Sequence, residues 1–204
     1  MTRWNDRTDA AKGSDYDERW ARLEAAGEAI HGEADLVEAL LVESLGSLRG
    51  RAVLDAGCGT GRVAVELARR AADVVGVDLD PAMLDTARTK SESVTWHLAD
   101  LTVLDLGRDF DLIAAPGNVM IFLAPGTEGD VLQRLAAHLR PGGLLVAGFQ
   151  VTGDGLSTAA YDAHAASAGL DLAQRWATWD RQPFDGGDYV VSVHQLAPRS
   201  TNRT

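Results

Sequence analysis

Residues 52–61 read Ala52-Val53-Leu54-Asp55-Ala56-Gly57-Cys58-Gly59-Thr60-Gly61. The stretch opens on a wholly apolar run, Ala52-Val53-Leu54, as a strand requires when both its faces are buried in a parallel sheet. Glycines then stand at three alternate positions, ahead of a helical pattern that starts near Val63. Glycine lets the backbone turn tightly and approach a ligand, and a side chain at Gly57 or Gly59 would block that approach. An acid, Asp55, lies two residues before the first glycine. A dinucleotide loop needs G-x-G-x-x-G, but read from Gly57 the sixth position is Arg62, and read from Gly59 it is Ala64. The spacing is G-x-G-x-G instead.

Strand and helix patterns alternate downstream of this loop. Val63–Ala71 reads as a helix and Asp73–Val77 as a buried strand, and Asp80-Pro81 supplies a cap with proline at the first helical position. Val94–Leu98, Phe110–Ala115 and Gly143–Phe149 read as strands, Glu128–Leu139 and Ser157–Ala168 as helices. Leu170–Thr178 and Tyr189–Leu196 are strand-like, and Asp185-Gly186-Gly187-Asp188 between them signals a hairpin. Upstream, Tyr16, Trp20 and Leu23 fall at helical spacing, as do Leu36, Val37, Leu40 and Leu41 before Gly46. Such alternation predicts one α/β domain, a parallel sheet with helices on both faces. Ligands in these sheets bind at the carboxyl ends of strands, here the loops after Asp55, Asp78, Asp100 and Ala115. The expected organisation is a flexible N-terminus at 1–13, a single domain at 14–198 (helices at 14–48, core at 50–198) and a tail at 199–204.

Composition narrows the partners. The 204 residues carry 19 Lys+Arg against 30 Asp+Glu, a net charge of −11, with one cysteine. A surface of that sign repels phosphate backbones and anionic membranes, which argues against nucleic acid or a membrane as partner. One cysteine cannot build a disulfide framework or a multi-thiolate zinc site, and no clustered ligand spacing suggests a metal. With no apolar leader segment, the reading is a soluble, cytoplasmic protein.

The loop resembles the first motif, (E/D)-x-G-x-G-x-G, of the class I S-adenosylmethionine-dependent methyltransferases. Four more segments resemble that family in the same order: Gly76-Val77-Asp78-Leu79-Asp80, Ala99-Asp100-Leu101, Phe110 to Asn118, and Leu139-Arg140-Pro141-Gly142-Gly143. The resemblance implies a Rossmann-like three-layer sandwich with a seven-stranded sheet ordered 3-2-1-4-5-7-6, strand seven antiparallel. It also implies S-adenosyl-L-methionine as cofactor, held by Asp55, Gly57, Cys58, Gly59 and Gly61. Asp78, 21 residues after Gly57, would take the ribose hydroxyls beside Leu79. Asp100 and Leu101 would meet the adenine, and Pro116 and Asn118 the methionine end. Helices before the first strand would form a lid, with Tyr16 and Trp20 either facing the cofactor or docking the helix.

The chemistry implied is in-line methyl transfer to a small-molecule acceptor, with an oxygen acceptor favoured over nitrogen. His31, at the junction of the two N-terminal helices, is the first candidate for a base, because an unperturbed imidazole titrates near pH 6.5. Asn118 is the second candidate, as an orienting amide. The proline-rich signature of amine methyltransferases, (D/N/S)-P-P-(Y/F), is absent at Pro116-Gly117-Asn118. Rival readings are a non-catalytic S-adenosylmethionine-binding protein and an NAD-type oxidoreductase. The chain is expected to act as a monomer or a homodimer.

Overall fold

The structure, a computed structural model, describes Trp4, residues 14–153 and residues 155–198, the side chains of 14–16 excepted. The expectations for the terminal segments, and for the Tyr16 side chain, lie outside the described residues. Two helices lead, α1 (Ser14–Ala25) and α2 (Gly32–Leu45). Seven strands follow: β1 (Ala52–Ala56), β2 (Asp73–Asp78), β3 (Thr95–Leu98), β4 (Phe110–Ala115), β5 (Leu139–Gln150), β6 (Leu170–Trp176) and β7 (Tyr189–Leu196). Between them run α3 (Arg62–Arg69), α4 (Pro81–Lys90), α5 (Val119–Phe122), α6 (Glu128–Ala137) and α7 (Thr158–Ser167), with a 3-10 turn at Leu101–Val103.

The sheet order is β3-β2-β1-β4-β5-β7-β6, and β7 runs antiparallel to both its neighbours. Every residue of β1 and β4 is buried, as their unbroken apolar runs require for the middle of a sheet covered on both faces. The exceptions inside those runs are Asp55 and Asp111. Asp111 Oδ2 accepts from Ala52 N at 2.8 Å and its Oδ1 meets Arg140 Nη1 at 2.6 Å, so this buried charge ties the start of β1 to β4 and β5. One core lies where α2 and α3 bring Val37, Leu41 and Leu67 onto Val53, Leu112 and Val146. The other joins α6 and α7, through Leu132, Leu135 and Tyr161, to Leu54, Ile113 and Phe149. Alternate residues of each strand thus feed opposite cores.

Two local expectations are corrected. β5 begins at Leu139 rather than Gly143, because Phe110 pairs with Leu139 and the ladder then shifts register before Leu112 pairs with Leu144. The link between β6 and β7 is no tight hairpin. Residues 177–188 form an excursion closed at its base by Ala177 N donating to Gln182 O at 2.8 Å. Its Trp179 Nε1 donates to Tyr189 Oη at 3.0 Å, and both side chains lie where a Cβ on Gly148 would stand. Arg181 of the same excursion reaches Glu43 of α2 at 2.7 Å.

No described helix is long and apolar enough to cross a membrane. Among the described residues no three potential metal ligands cluster.

Candidate active site

The ends of β1, β2, β3 and β4 enclose one cavity. Its wall includes Asp55, Gly57, Cys58, Gly59, Asp78, Leu79, Asp100, Leu101 and Pro116. All three loop glycines have positive φ, +76° at Gly57, +55° at Gly59 and +81° at Gly61. A Cβ on Gly57 would stand 2.4 Å from Val119 Cγ2, and one on Gly59 would stand 3.3 Å from Met83 Cε. The third glycine serves another purpose. Gly61 does not line the cavity; a Cβ there would meet Trp96 Cη2 at 2.5 Å and Ala87 Cβ at 3.1 Å, so it is needed for packing α3 against α4 and β3.

The loop's amides are largely engaged within the protein. Gly57 N and Cys58 N donate to Val77 O at 2.8 and 2.9 Å, Gly59 N donates to Asp78 Oδ2 at 2.7 Å, and Gly61 N donates to Cys58 O at 2.9 Å. A pyrophosphate cradle needs such groups turned toward the ligand. Here the cavity is faced instead by carboxylates, which repel phosphate and suit a cation.

Asp55 makes that point most sharply. It is fully buried; Oδ2 accepts from Ala64 N at 3.0 Å, while Oδ1 is closed to solvent and has no partner. Burial pushes its pKa up to about 7, opposed by the Ala64 amide and Arg62, with Asp78 and Glu33 raising it further. A buried anion so poorly compensated is costly, and a ligand ammonium or sulfonium would restore the missing interaction.

Asp78 is half-buried, and burial raises its pKa as well. Its Oδ1 accepts from Asp80 N at 2.8 Å and its Oδ2 from Gly59 N, which aims the carboxylate at the cavity with lone pairs left for two hydroxyls. Asp80 is the helix cap, accepting from Ala82 N at 2.9 Å ahead of Pro81, so Asp78 is not needed for that task. Asp100 Oδ1 accepts from Thr102 N and Thr102 Oγ1 at 2.9 and 2.8 Å, starting the short turn that seats Leu101 beside it. Burial, followed by the charge of Asp55, raises the Cys58 pKa well above its ordinary value; this is a space-filling thiol rather than a nucleophile.

Three proposed site residues lie elsewhere. Asn118 has φ +69°, its Oδ1 accepts from Gln150 N at 2.8 Å and its N donates to Gly148 O at 3.2 Å. Its side-chain oxygen and backbone N–H thus tie the loop after β4 to the end of β5, and it does not line the cavity. Trp20 and His31 line a separate cleft beneath α1. The cause is Arg62, whose guanidinium stacks 3.8 Å over the Trp20 ring, donates to Ile30 O and forms a two-pronged pair with Glu33 at 2.9 and 2.5 Å. Those contacts dock α1 and the start of α2 on the flank of the glycine loop, so Trp20 and His31 line this cleft and not the cavity at the strand ends.

Other residues complete the wall without having been singled out for it, among them Trp4, Thr60, Arg62, Met83, Val119 and Leu123; Phe122, expected as an apolar wall residue after β4, lines it too, whereas Met120, expected beside it, does not. Trp4 Nε1 donates to Asp80 Oδ2 at 3.1 Å and its ring meets Phe122 edge-on at 5.5 Å, joining the β2 and β4 sides of the cavity. Nothing local in an N-terminal tryptophan signals that contact. Thr60 and Arg62 could have been found, since both sit where the loop enters α3.

Comparison with known proteins agrees with this geometry. A family model described as a methyltransferase domain matches residues 53–143. A crystal structure of a TehB-like S-adenosylmethionine-dependent methyltransferase from Corynebacterium glutamicum is 37% identical, with a TM-score of 0.81 over 90% of this chain and 97% of that one. A magnesium-protoporphyrin O-methyltransferase of Rhodobacter capsulatus is 37% identical over 57% of this chain and 57% of its own length. A dTDP-3-amino-3,6-dideoxy-alpha-D-glucopyranose N,N-dimethyltransferase of Streptomyces fradiae is 32% identical over 67% of this chain and 55% of its own. The chain thus spans little more than half the length of these two curated relatives. With the motif order, the strand order and a relative aligned over nearly its whole length in agreement, the chain belongs to the class I S-adenosylmethionine-dependent methyltransferases.

Proposed function

We propose that this protein transfers a methyl group from S-adenosylmethionine to an oxygen atom of a small-molecule acceptor. The observation that carries the reading is the pair of cavity-facing carboxylates around a glycine loop whose amides are already bonded. When bound, S-adenosylmethionine supplies a methyl already activated by a positive sulfur. The chain's work is to bind, orient and keep water away. Asp55 Oδ1 would hold the methionine ammonium, Asp78 the ribose hydroxyls, and Asp100 and Leu101 the adenine. Val119, Phe122, Leu123 and Trp4 give the cavity an apolar side that excludes water, and alignment of the two reactants contributes on the order of 7–11 kcal/mol at its upper end.

The preference for oxygen rests on which bases are present. Among the described residues lining the cavity there is no histidine, lysine, tyrosine or glutamate, and its aspartates are placed for the cofactor. An ammonium must lose a proton before it attacks, and so must a phenol, whereas a carboxylate arrives as the nucleophile. An acceptor that brings its own anionic oxygen needs no base from this wall, and the cofactor's positive sulfur offsets the charge that the aspartates would otherwise repel. Relatives act on both elements, one named as an O-methyltransferase and another as an N,N-dimethyltransferase.

The test has two stages. Calorimetry should give saturable binding of S-adenosylhomocysteine and none of NADH; the reverse result refutes the cofactor. Methyl-labelled S-adenosylmethionine is then offered with matched aromatic carboxylic acids, phenols and amines. Label in esters or ethers supports an oxygen acceptor, label confined to amines overturns that choice, and cofactor binding without label in any fraction of a metabolite extract favours the binding-protein alternative.

A further inference from the structure

Among the described residues lining the cofactor cavity, two carry aromatic rings, Trp4 and Phe122. They meet edge-on, with 5.5 Å between ring centroids and 67° between planes. Trp4 is half-buried, and its Nε1 donates to Asp80 Oδ2 at 3.1 Å. Asp80 is buried and fixed in its turn, since its Oδ1 caps α4 by accepting from Ala82 N at 2.9 Å. The indole is therefore held to a buried carboxylate by its N–H and to Phe122 by its ring.

That double anchoring sets where the ring lies. Asp80 follows the end of β2, Phe122 closes α5 after β4, and β1 runs between those two strands in the sheet. A ring held from both sides crosses in front of the end of β1, where the glycine loop begins. The function proposed above gives Asp78 the ribose hydroxyls and Asp55 the methionine ammonium. The sulfur of S-adenosylmethionine joins the ribose to the methionine chain, so it comes between those two carboxylates, at the ends of β2 and β1. The Trp4 ring covers the same span. An indole face attracts a cation through its quadrupole, more strongly than the rings of tyrosine or phenylalanine, and most where water is excluded.

We propose that Trp4 contacts the cofactor through its indole face, against the sulfonium, and that it makes the cavity prefer the charged methyl donor over its neutral product. The inference rests on the cofactor reading above. On transfer the S–CH3 bond breaks, its electron pair stays on sulfur, and the thioether left behind is neutral. The attraction to the ring lapses at that step, which favours release of S-adenosylhomocysteine. Asp55 and Asp78 also attract the sulfonium, but both remain in a Trp4 variant. A change of preference on substituting Trp4 therefore belongs to that ring.

Calorimetry on the full chain, without acceptor, gives the Kd of S-adenosylmethionine and of S-adenosylhomocysteine for wild type, Trp4→Leu and Trp4→Phe. The quantity read is the Kd of the product divided by that of the methyl donor. Both ligands meet the same preparation, so any loss of folded protein cancels in the ratio. Trp4→Leu should lower the ratio by about threefold or more, through weaker binding of S-adenosylmethionine. Trp4→Phe, which keeps a ring but has no N–H for Asp80, should hold a ratio above that of Trp4→Leu. A ratio unchanged in Trp4→Leu overturns the proposal even where both affinities drop, because a residue that only covers the cavity acts on both ligands alike. Equal ratios in Trp4→Phe and Trp4→Leu, both below wild type, overturn it too, by assigning the effect to the bond with Asp80. Wild-type protein that binds neither ligand refutes the cofactor reading itself, a result distinct from any change in the ratio.

Discussion

Asp55→Asn separates the stability of the free protein from its affinity for cofactor. In the free protein Asp55 is fully buried, one oxygen has no partner, and its pKa stands at about 7 against an ordinary 3.8. A raised folded-state pKa means that the stabilising contribution is complete below pH 3.8 and is lost as pH climbs through 7. The shift of about three pK units corresponds to roughly 4 kcal/mol lost across that window, at about 1.36 kcal/mol per unit. Asparagine does not titrate and can still accept the Ala64 N–H through its amide oxygen. At pH 8 the free variant should therefore melt several degrees above wild type, a gain that shrinks toward zero by pH 4. Cofactor affinity should move the other way. Binding a cation requires ionised Asp55, so the wild-type Kd should improve close to tenfold for each unit that pH rises toward 7 and level off above it, while the variant binds weakly with a flat profile. Scanning fluorimetry and calorimetry from pH 4 to 7.5, with fluorimetry extended to pH 8, measure both. A variant that is less stable than wild type at pH 8, or whose affinity keeps the wild-type pH slope, would refute the argument that the cavity is built around a buried, uncompensated carboxylate.

Asp78→Ala should weaken S-adenosylhomocysteine binding at least tenfold, because it removes the hydroxyl acceptor and also the anchor of Gly59 N; calorimetry showing wild-type affinity rules out the ribose role. Gly57→Ala places a Cβ 2.4 Å from Val119 Cγ2 at φ +76°, a destabilisation of about 1–3 kcal/mol by chemical denaturation that adding Val119→Ala recovers only in part, since the backbone strain stays. His194 is 1% exposed and burial lowers its pKa, with the charge of Asp162 opposing the shift. The unfolded chain then binds a proton first as pH drops below about 6.5, and stability falls with it until the folded ring titrates too. His194→Gln should flatten that part of the pH–Tm curve relative to wild type, and an identical curve would assign the acid sensitivity to other groups.

What could be read from the residues and what could not divides along physical lines. Strands β1 and β4 are legible because a strand buried on both faces must be apolar at nearly every position, and Asp55 and Asp78 because each stands at the carboxyl end of such a run, whereas Asp100 follows the mostly exposed β3 and is legible only from the resemblance. The glycine spacing is likewise local information, although it conceals a division of labour: Gly57 and Gly59 clear the cavity while Gly61 clears Trp96. Facing is different. Trp20 and His31 have the spacing of a lid, yet the direction they point is decided by an arginine that follows the loop, and nothing in residues 14–31 announces that Arg62 will take the Trp20 ring, the Ile30 carbonyl and Glu33 together. Asn118 resembles an orienting amide until φ +69° and the Gln150 N–H account for it. Long-range polar contacts of this kind carry no periodic signature, since each depends on one pair of atoms meeting in three dimensions. The same reasoning explains why the cofactor is more legible than the acceptor. Recognition of an adenosyl cation, on the reading proposed above, lies at strand ends that must be where the sheet puts them, whereas the cavity's apolar side is assembled by Trp4, Phe122 and Leu123 from segments outside the strands. Chains that share this sheet can therefore diverge in acceptor by altering those few contacts while Asp55 and its glycine loop stay as they are.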